Sequence, residues 1–245
     1  MRILNISAQK PDSTGSGVYL AEMVRCELSA GHAAAVVAGV DASDAPTLPE
    51  GAEPYFVRFN TEALPFNVCG MSDVMPYAAT RYRDFTPSMT KQFCSAFTQR
   101  IGHAAAEFVP DVVICHHLYL ACAVARETLP SIPMAAVCHS TDLRQMRNHG
   151  LERERIVNAV RSLDVIFALH EEQKREIVEI FDVEPAKVLV IGTGYNAQSF
   201  LPPTSAWLAM AFLVCCMSAK SGTRKASKAL SRRWNCWRSV RAPRA

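Results

Sequence analysis

The sequence predicts an α/β fold in which a Rossmann-like parallel sheet carries helices on both faces. Short β-branched and apolar runs alternate with longer segments of helical period up to about residue 203. The chain has 245 residues, of which 49% are hydrophobic and 20% charged, enough for one large core or two small ones. No apolar leader follows Met1, and the longest apolar run, residues 207–217, is shorter than the ~20 residues of a membrane span. We therefore expect a globular, cytoplasmic protein.

Seven short runs have the length and composition of buried strands. Because each pair of neighbouring runs is joined by a segment long enough to cross over the sheet, the strands are expected to be parallel. The predicted strands cover residues 2–7, 34–39, 55–59, 111–115, 134–138, 165–168 and 187–191.

Helical segments are predicted between these strands. In the first, Val18, Ala21, Val24, Cys26 and Leu28 recur near helical spacing, and Gly31 follows as a helix-terminating glycine. The predicted helices cover residues 16–29, 87–108, 118–128, 152–163 and 171–181.

Residues 61–86 show neither a strand period nor a helix period. The segment contains prolines, glycine and several aromatic side chains. Long irregular segments are uncommon in compact α/β domains and are often functional. This segment is therefore expected to be a loop that covers a substrate or, alternatively, a purely structural Ω-loop.

The nine cysteines indicate reduced thiols rather than disulfides or a zinc site. No pair has CxxC or other zinc-like spacing, and five lie in apolar runs typical of buried elements. Those five are Cys26, Cys94, Cys115, Cys122 and Cys138.

The loop after the first strand, AQKPDSTGSGVYL, has features of an anion site. Gly15 and Gly17 allow a ligand to approach the backbone where the next helix begins and its N–H groups are free. A simple tight turn explains the same residues. A dinucleotide site would place a ribose on Asp41, but Leu20 stands where the third glycine of G-x-G-x-x-G belongs.

Five segments together resemble the N-terminal domain of the family 4 glycosyltransferases, which have the GT-B fold. The resemblance covers nearly all of residues 1–203. Its most specific parts are the glycine loop, the strand that ends in CHSTD, and GTGYNAQSF, where Thr193, Tyr195 and Asn196 replace the usual Asn, Ile/Val and Asp of the family's hinge motif. The segments are TGSGVYLAEMVRCELSAGHAAAVVAG, PDVVICHH, IPMAAVCHSTDL, LDVIFALHEEQKREI and KVLVIGTGYNAQSFLP.

This resemblance implies two Rossmann-like domains that face each other across a cleft. The first domain mainly binds an acceptor and the second binds a nucleotide-sugar donor, and the sugar is transferred with retention of configuration and without a metal or other cofactor. Only the first domain is recognisable in this sequence.

The resemblance also implies site residues. The amides of Gly15 and Gly17 would bind the donor's distal phosphate, and His139 would lie beside the reacting sugar, unless it only caps the next helix. His116 and His117 end another strand at the same expected edge, so one of them, by preference His117, is a candidate for contact with acceptor hydroxyls. The remaining candidates for acceptor contacts are Ser140, Thr141 and Asp142, which could instead be helix caps, and Tyr77 and Arg81, of which the arginine could simply be solvated.

The chemistry of the sequence changes after Pro203. From Thr204 onward there are nine Lys or Arg, no Asp or Glu, and all three tryptophans, whereas the rest of the chain carries 17 basic and 23 acidic residues. If the codons of Trp234–Arg238 are read from their third base, the genetic code forces Glu-Leu-Leu in the middle, which resembles a helix of the family's donor domain. We therefore expect residues 1–203 to be a glycosyltransferase domain and residues 204–245 to be an irregular, out-of-frame tail, so that the chain is a truncated, inactive enzyme.

Two other functions remain open at this point. The basic, tryptophan-containing tail could bind nucleic acid or an anionic membrane surface, although no nucleic-acid partner is expected and only peripheral membrane association is considered. The glycine loop with Asp41 could instead belong to a nicotinamide-dependent oxidoreductase.

Overall fold

Seven parallel strands form the central sheet, in the order β3-β2-β1-β6-β7-β8-β9. The computed structural model describes residues 1–194, so the predicted tail 204–245 and the hinge residues Tyr195 and Asn196 lie outside the described residues. All seven predicted strands are confirmed. The strands are β1 Arg2–Ser7, β2 Ala33–Asp41, β3 Glu53–Phe59, β4 Cys69–Gly70, β5 Thr80–Arg81, β6 Val112–His116, β7 Met134–Val137, β8 Val165–Ala168 and β9 Val188–Val190.

The five predicted helices are also confirmed, and their ends agree to within two residues. The N-terminus of the longest helix follows local rules, because Thr86 accepts a hydrogen bond from the Met89 amide and Pro87 occupies the first turn. Within residues 1–194, no helix is long and apolar enough to cross a lipid bilayer. The helices are α1 Gly15–Ser29, α2 Pro87–Phe108, α3 Leu120–Thr128, α4 Thr141–Asn148, α5 Arg153–Arg161 and α6 Glu171–Phe181.

Strand β2 shows why the sheet needs helices on both faces. Its residues 34–40 are all buried, and successive side chains point to opposite faces. Ala34, Val36 and Ala38 pack with Leu20 and Val24 of α1. The alternate residues Ala35 and Val37 join the larger core on the other face, to which α2 contributes five buried residues. The buried residues from α2 in that core are Phe93, Phe97, Ile101, Ala104 and Phe108.

The buried face of α1 differs from the one that the sequence predicted. Gly17, Leu20 and Val24 are its buried residues, whereas Val18 is 52% exposed and Cys26 is exposed. The prediction that Cys26 is a core thiol is therefore wrong, because it lies off the stripe that faces β2. The prediction of reduced thiols is met by the six cysteines within residues 1–194, all of which are free; Cys94 is half-buried.

Residues 61–86 form an ordered segment that contributes to the core. Leu64, Val68, Met71 and Tyr82 are each at most 2% exposed, and β4 and β5 within the segment pair as a small parallel sheet. The segment also reaches α4, since Gln145 Nε2 donates a hydrogen bond to the Met71 carbonyl oxygen at 2.9 Å. This packing accords with the structural interpretation of the segment and leaves its role over a substrate as a proposal.

Candidate functional site

Three loops meet at one edge of the sheet. Strand β6 lies between β1 and β7, so the loops that follow these three strands are neighbours in space. They are the glycine loop before α1, the β6–α3 loop that begins with His117, and the β7–α4 loop that contains His139. Open α/β sheets bind ligands in the crevice outside the carboxyl ends of their strands. This edge is therefore the candidate functional site.

The two glycines of the first loop have different surroundings. An added Cβ at Gly17 would lie 2.6 Å from the backbone oxygen of Lys10, and the Gly17 amide already donates to Thr14 Oγ1 at 3.0 Å. An added Cβ at Gly15 would meet no atom within 4 Å. The first amides of a helix have no partner inside it, so those of Gly15 and Ser16 remain for a ligand. The Gly17 amide is engaged in capping α1, which differs from the expectation that both glycine amides face a phosphate.

A pair of alanine variants separates these two glycines. Gly17→Ala is expected to lower the free energy of unfolding by about 1–3 kcal/mol, because backbone atoms must move to admit the methyl group. Gly15→Ala is expected to be neutral or to stabilise the protein by up to about 1 kcal/mol, because Gly is the poorer helix former. Urea unfolding of both variants measures the difference, and equal stabilities would contradict the packing role of Gly17.

Three histidines form the centre of the edge. His116 Nδ1 lies 3.4 Å from His139 Nε2, and the two rings are nearly parallel with centroids 5.6 Å apart. The ring centroid of His117 lies 4.7 Å from that of His139. Tyr19, from the second turn of α1, contacts the His139 ring edge-on at a centroid distance of 5.2 Å. Helix α1, which follows the glycine loop, and His139 are therefore brought together by direct side-chain contact.

These histidines are held in the neutral form. Burial lowers the pKa of His116 and of His117 well below the usual value, and the neighbouring His139 lowers each further. Burial also lowers the pKa of His139, while Asp142 acts in the opposite direction. Neutral imidazoles can donate or accept hydrogen bonds without bringing a positive charge to the site.

Asp142 holds the two histidine loops together. Its side chain is fully buried, and its Oδ2 accepts hydrogen bonds from the Leu118 amide at 2.9 Å and from the His139 amide at 3.3 Å. Cys138 Sγ donates to the other carboxyl oxygen at 3.2 Å. Of the two roles that the sequence left open, this geometry favours a structural one, because the carboxyl group is occupied by the protein. This geometry supports a role for Asp142 in positioning the two loops and gives no support to a contact with the acceptor.

Two residues at this edge have backbone conformations that favour glycine. His117 has φ 76° and Ser140 has φ 66°, which costs a non-glycine residue about 1–2 kcal/mol. The Ser140 side chain accepts a hydrogen bond from Gln173 Nε2 at 2.7 Å, and Thr141 Oγ1 lies 3.5 Å from His117 Nδ1. Strain of this kind persists where the surroundings hold the chain firmly, and it is frequent at functional sites.

Two residues at the site were absent from the predicted set. Gln9 contacts Ser16 and His117, and Tyr19 contacts the His139 ring edge-on. His116, which lies beside His139, was the predicted alternative to His117, because both residues end the same strand. No local pattern in the sequence points to Gln9 or Tyr19, because their roles depend on the approach of segments distant in the chain.

Tyr77 and Arg81 occupy different places. Tyr77 is half-buried, and the Lys10 ammonium group lies 4.9 Å from the centroid of its ring, at the start of the glycine loop. Arg81 pairs with Asp84 at 2.6 Å and, among the contacts of residues 1–194, makes none with the three histidines. The structure therefore brings Tyr77, but not Arg81, to the glycine loop.

The carboxylate of Asp41 is occupied by its own loop. Its Oδ1 accepts from the amide and hydroxyl of Ser43 at 3.0 and 2.6 Å, and Asn60 donates to its Oδ2. These hydrogen bonds lower the pKa of Asp41 to about 2. A ribose would have to displace them, so this geometry gives no support to a dinucleotide site. The described residues also contain no group of three or more His, Cys, Asp or Glu that could hold a metal ion.

Two solved structures that share this fold show what the domain is similar to. Sucrose-phosphate synthase from Thermosynechococcus elongatus aligns with a TM-score of 0.59 at 12% identity, over 86% of this chain and 52% of that one. Anabaena HepE in complex with UDP and glucose aligns with a TM-score of 0.51 at 12% identity, over 84% of this chain and 47% of that one. This chain therefore spans about half the length of these structures, and at such identities the likeness concerns the fold.

The family comparison concerns the sequence itself. No curated protein matches the chain significantly. The model of glycosyltransferase family 4 matches residues 13–199, which is more than half of the chain and includes Gly15, Gly17 and all three histidines. The chain therefore belongs to glycosyltransferase family 4.

Proposed function

We propose that the described domain is the acceptor-side half of a glycosyltransferase that takes its sugar from a nucleotide-sugar donor. The observation that carries this proposal is the contact between Tyr19, in the second turn of α1, and His139, which supports a site where the N-terminus of α1 lies next to the histidine cluster. The HepE structure, which shares the fold, is a complex with UDP and glucose. A nucleoside diphosphate with its sugar is the ligand that an anion-binding helix terminus next to neutral hydrogen-bonding groups suits best.

The proposed roles follow from charge. As the donor's glycosidic bond breaks, negative charge accumulates on the departing diphosphate, and the fixed amide dipoles of Gly15 and Ser16 would stabilise it without reorganisation. Neutral His139 would donate to, or accept from, a sugar hydroxyl. His117, Ser140 and Thr141 face the acceptor side in this proposal, and Tyr77 borders the glycine loop. Retention of configuration and independence from metal are part of the same proposal.

The division into a domain of residues 1–203 and a tail of residues 204–245 also stays a proposal. In the GT-B fold the second domain supplies most contacts to the nucleotide, and this chain spans about half of such a structure. We therefore expect this chain to bind a donor weakly and to show neither transfer nor hydrolysis of a nucleotide-sugar. Turnover by the purified 245-residue protein would contradict that expectation.

A binding experiment with a charge variant tests the proposed site. UDP added to the wild-type chain is expected to shift the amide NMR signals of Gly15 and Ser16 and the ring signals of His139, with a Kd on the order of 1 mM. Gly15→Asp puts a negative charge into open space beside these amides, and is expected to weaken binding at least about tenfold through like-charge repulsion.

Gly102→Asp is the matched control. Gly102 lies in α2, and an added Cβ there also meets no atom within 4 Å. This variant should bind UDP as the wild type does. Shifts that spread evenly over the protein surface, or equal binding by Gly15→Asp, would rule out the proposed donor site.

A further inference from the structure

Gln9 connects three segments of the candidate site. It follows β1, is 2% exposed, and its Oε1 accepts a hydrogen bond from Ser16 Oγ at 2.8 Å. The same oxygen lies 3.1 Å from His117 Nε2. On its other side, Gln9 Nε2 lies 3.9 Å from the sulfur of Met75, in the segment of residues 61–86.

We propose that Gln9 is a positioning residue that fixes the first turn of α1, the proposed site of the donor's diphosphate, relative to His117 on the acceptor side. The inference rests on the proposed function for its ligand, and on the geometry of Gln9 for its mechanism. Ser16 stands between Gly15 and Gly17, so a hydrogen bond to its hydroxyl restrains the first turn of α1. His117 is restrained by the same carbonyl oxygen.

The hydrogen-bond pattern also determines the tautomer of His117. An amide oxygen only accepts, so the neutral His117 ring must carry its proton on Nε2 to make this bond. Its Nδ1 is then an acceptor, and Thr141 Oγ1 at 3.5 Å is the group placed to donate to it. Gln9 thereby acts through His117 on Thr141, which begins α4 on the other side of His139.

An amide is the side chain that can do this without adding charge. A carboxylate in the same place would accept the same two hydrogen bonds, but its negative charge would repel a diphosphate at the first turn of α1. It would also raise the pKa of His117 by favouring the imidazolium form. The proposal therefore requires both the hydrogen-bonding shape of the amide and its lack of charge. Two variants test these two requirements separately.

Gln9→Glu keeps the shape and changes the charge, whereas Gln9→Met keeps the length and removes both hydrogen bonds. Gln9→Glu is expected to weaken UDP binding at least about tenfold, and to raise the pKa of His117 measured by NMR titration. Gln9→Met is expected to weaken UDP binding about threefold to tenfold and to convert the ¹⁵N ring signals of His117 from the Nε2–H form to a mixture of tautomers. If Gln9→Met does not fold, Ser16→Ala replaces it in the experiment. Ser16→Ala removes the hydrogen bond between the Ser16 hydroxyl and Gln9, and is expected to weaken UDP binding about threefold.

The His117 signals are recorded without ligand, so they separate the two proposals. If wild-type protein fails to bind UDP, the donor site is wrong, and the ring signals still decide the role of Gln9. If Gln9→Met, or Ser16→Ala together with Gln9→Glu, leaves the His117 tautomer, its pKa and UDP affinity unchanged, Gln9 is not a positioning residue. A purely structural Gln9 would lower the stability of the variants without moving any of these three readings.

Discussion

Asp142→Ala is expected to destabilise the protein by about 2–5 kcal/mol, the largest loss of any single side chain at the site. The substitution leaves the buried amide of Leu118 and the partly buried amide of His139 without an acceptor. A buried donor without a partner costs about 1–3 kcal/mol. Whole domains are stable by only about 5–15 kcal/mol. Urea unfolding monitored by circular dichroism should therefore show a much lower midpoint.

Asp164→Ala is the matched control for this prediction. Asp164 also accepts a hydrogen bond from a strand amide, that of Met134 at 2.8 Å, but its side chain is 61% exposed, so water can replace the carboxylate. Its loss is expected to cost about 1 kcal/mol or less. If Asp142→Ala costs no more than Asp164→Ala, the buried carboxyl group does not hold the two histidine loops together.

Asp142→Asn tests the position of the histidines directly. The asparagine has nearly the same shape, but its amide nitrogen is a donor and cannot accept from a backbone N–H. We expect an intermediate loss of stability, together with shifts of the His117 and His139 ring signals in the NMR spectrum. Unchanged ring signals would mean that the loops keep their arrangement without the carboxylate.

The fold was largely predictable because its strands and long helices are amphipathic or uniformly apolar. Helix caps were among the roles considered for residues 139–142, but the range of helix α4 was not among the predicted helices, for a physical reason. Its segment, TDLRQMRN, is short and polar, and two of its four buried residues are Asp142 and Gln145, which hydrogen-bond inside the protein. Buried polar residues are indistinguishable from surface residues in a sequence pattern. Strands β4 and β5 have only two residues each and show no period at all.

The candidate site was predictable only for residues that directly follow predicted strands. Gly15 and His139 follow strands that the sequence already placed at the same edge, so their proximity could be inferred from topology. The separate surroundings of Gly15 and Gly17 could not be, because the clash at Gly17 involves the backbone of Lys10 folding back on the helix. The contacts of Gln9 depend on three segments meeting, and no local pattern encodes such a meeting.

The buried histidines are expected to make the protein acid-sensitive below about pH 6.5. The pKa values of His116, His117 and His139 are lowered in the folded state by burial, whereas in the unfolded chain they return to about 6.5. Below that pH the unfolded chain binds more protons than the folded one, so stability falls as the pH falls. Each histidine contributes up to about 1.4 kcal/mol per pH unit until its folded-state pKa is reached.

The loss of stability that is linked to these histidines occurs at a higher pH than the loss that is linked to most carboxyl groups. The hydrogen bonds of Asp41 lower its pKa to about 2, so any stability linked to it is lost only below the usual pKa of an aspartate, about 3.9. Glu27 has a pKa raised by burial, so its contribution has the opposite sign and makes the slope shallower. Between pH 6.5 and 5 a net loss of stability is therefore expected from the cluster.

Urea unfolding of the full chain at fixed pH values from 8 to 5 measures this loss. His116→Gln removes one buried imidazole and should make the slope between pH 6.5 and 5 shallower by up to about 1.4 kcal/mol per pH unit. His103→Gln is the control, because that side chain is 50% exposed on α2 and remains in contact with water. A stability that stays constant from pH 8 to 5, or a slope that His116→Gln and His103→Gln change equally, would mean that the histidine cluster does not stay neutral inside the folded protein.

This measurement also bears on the chemistry of the site. In the proposed function the diphosphate binds at the N-terminus of α1, and neutral histidines beside it can form hydrogen bonds with the sugar.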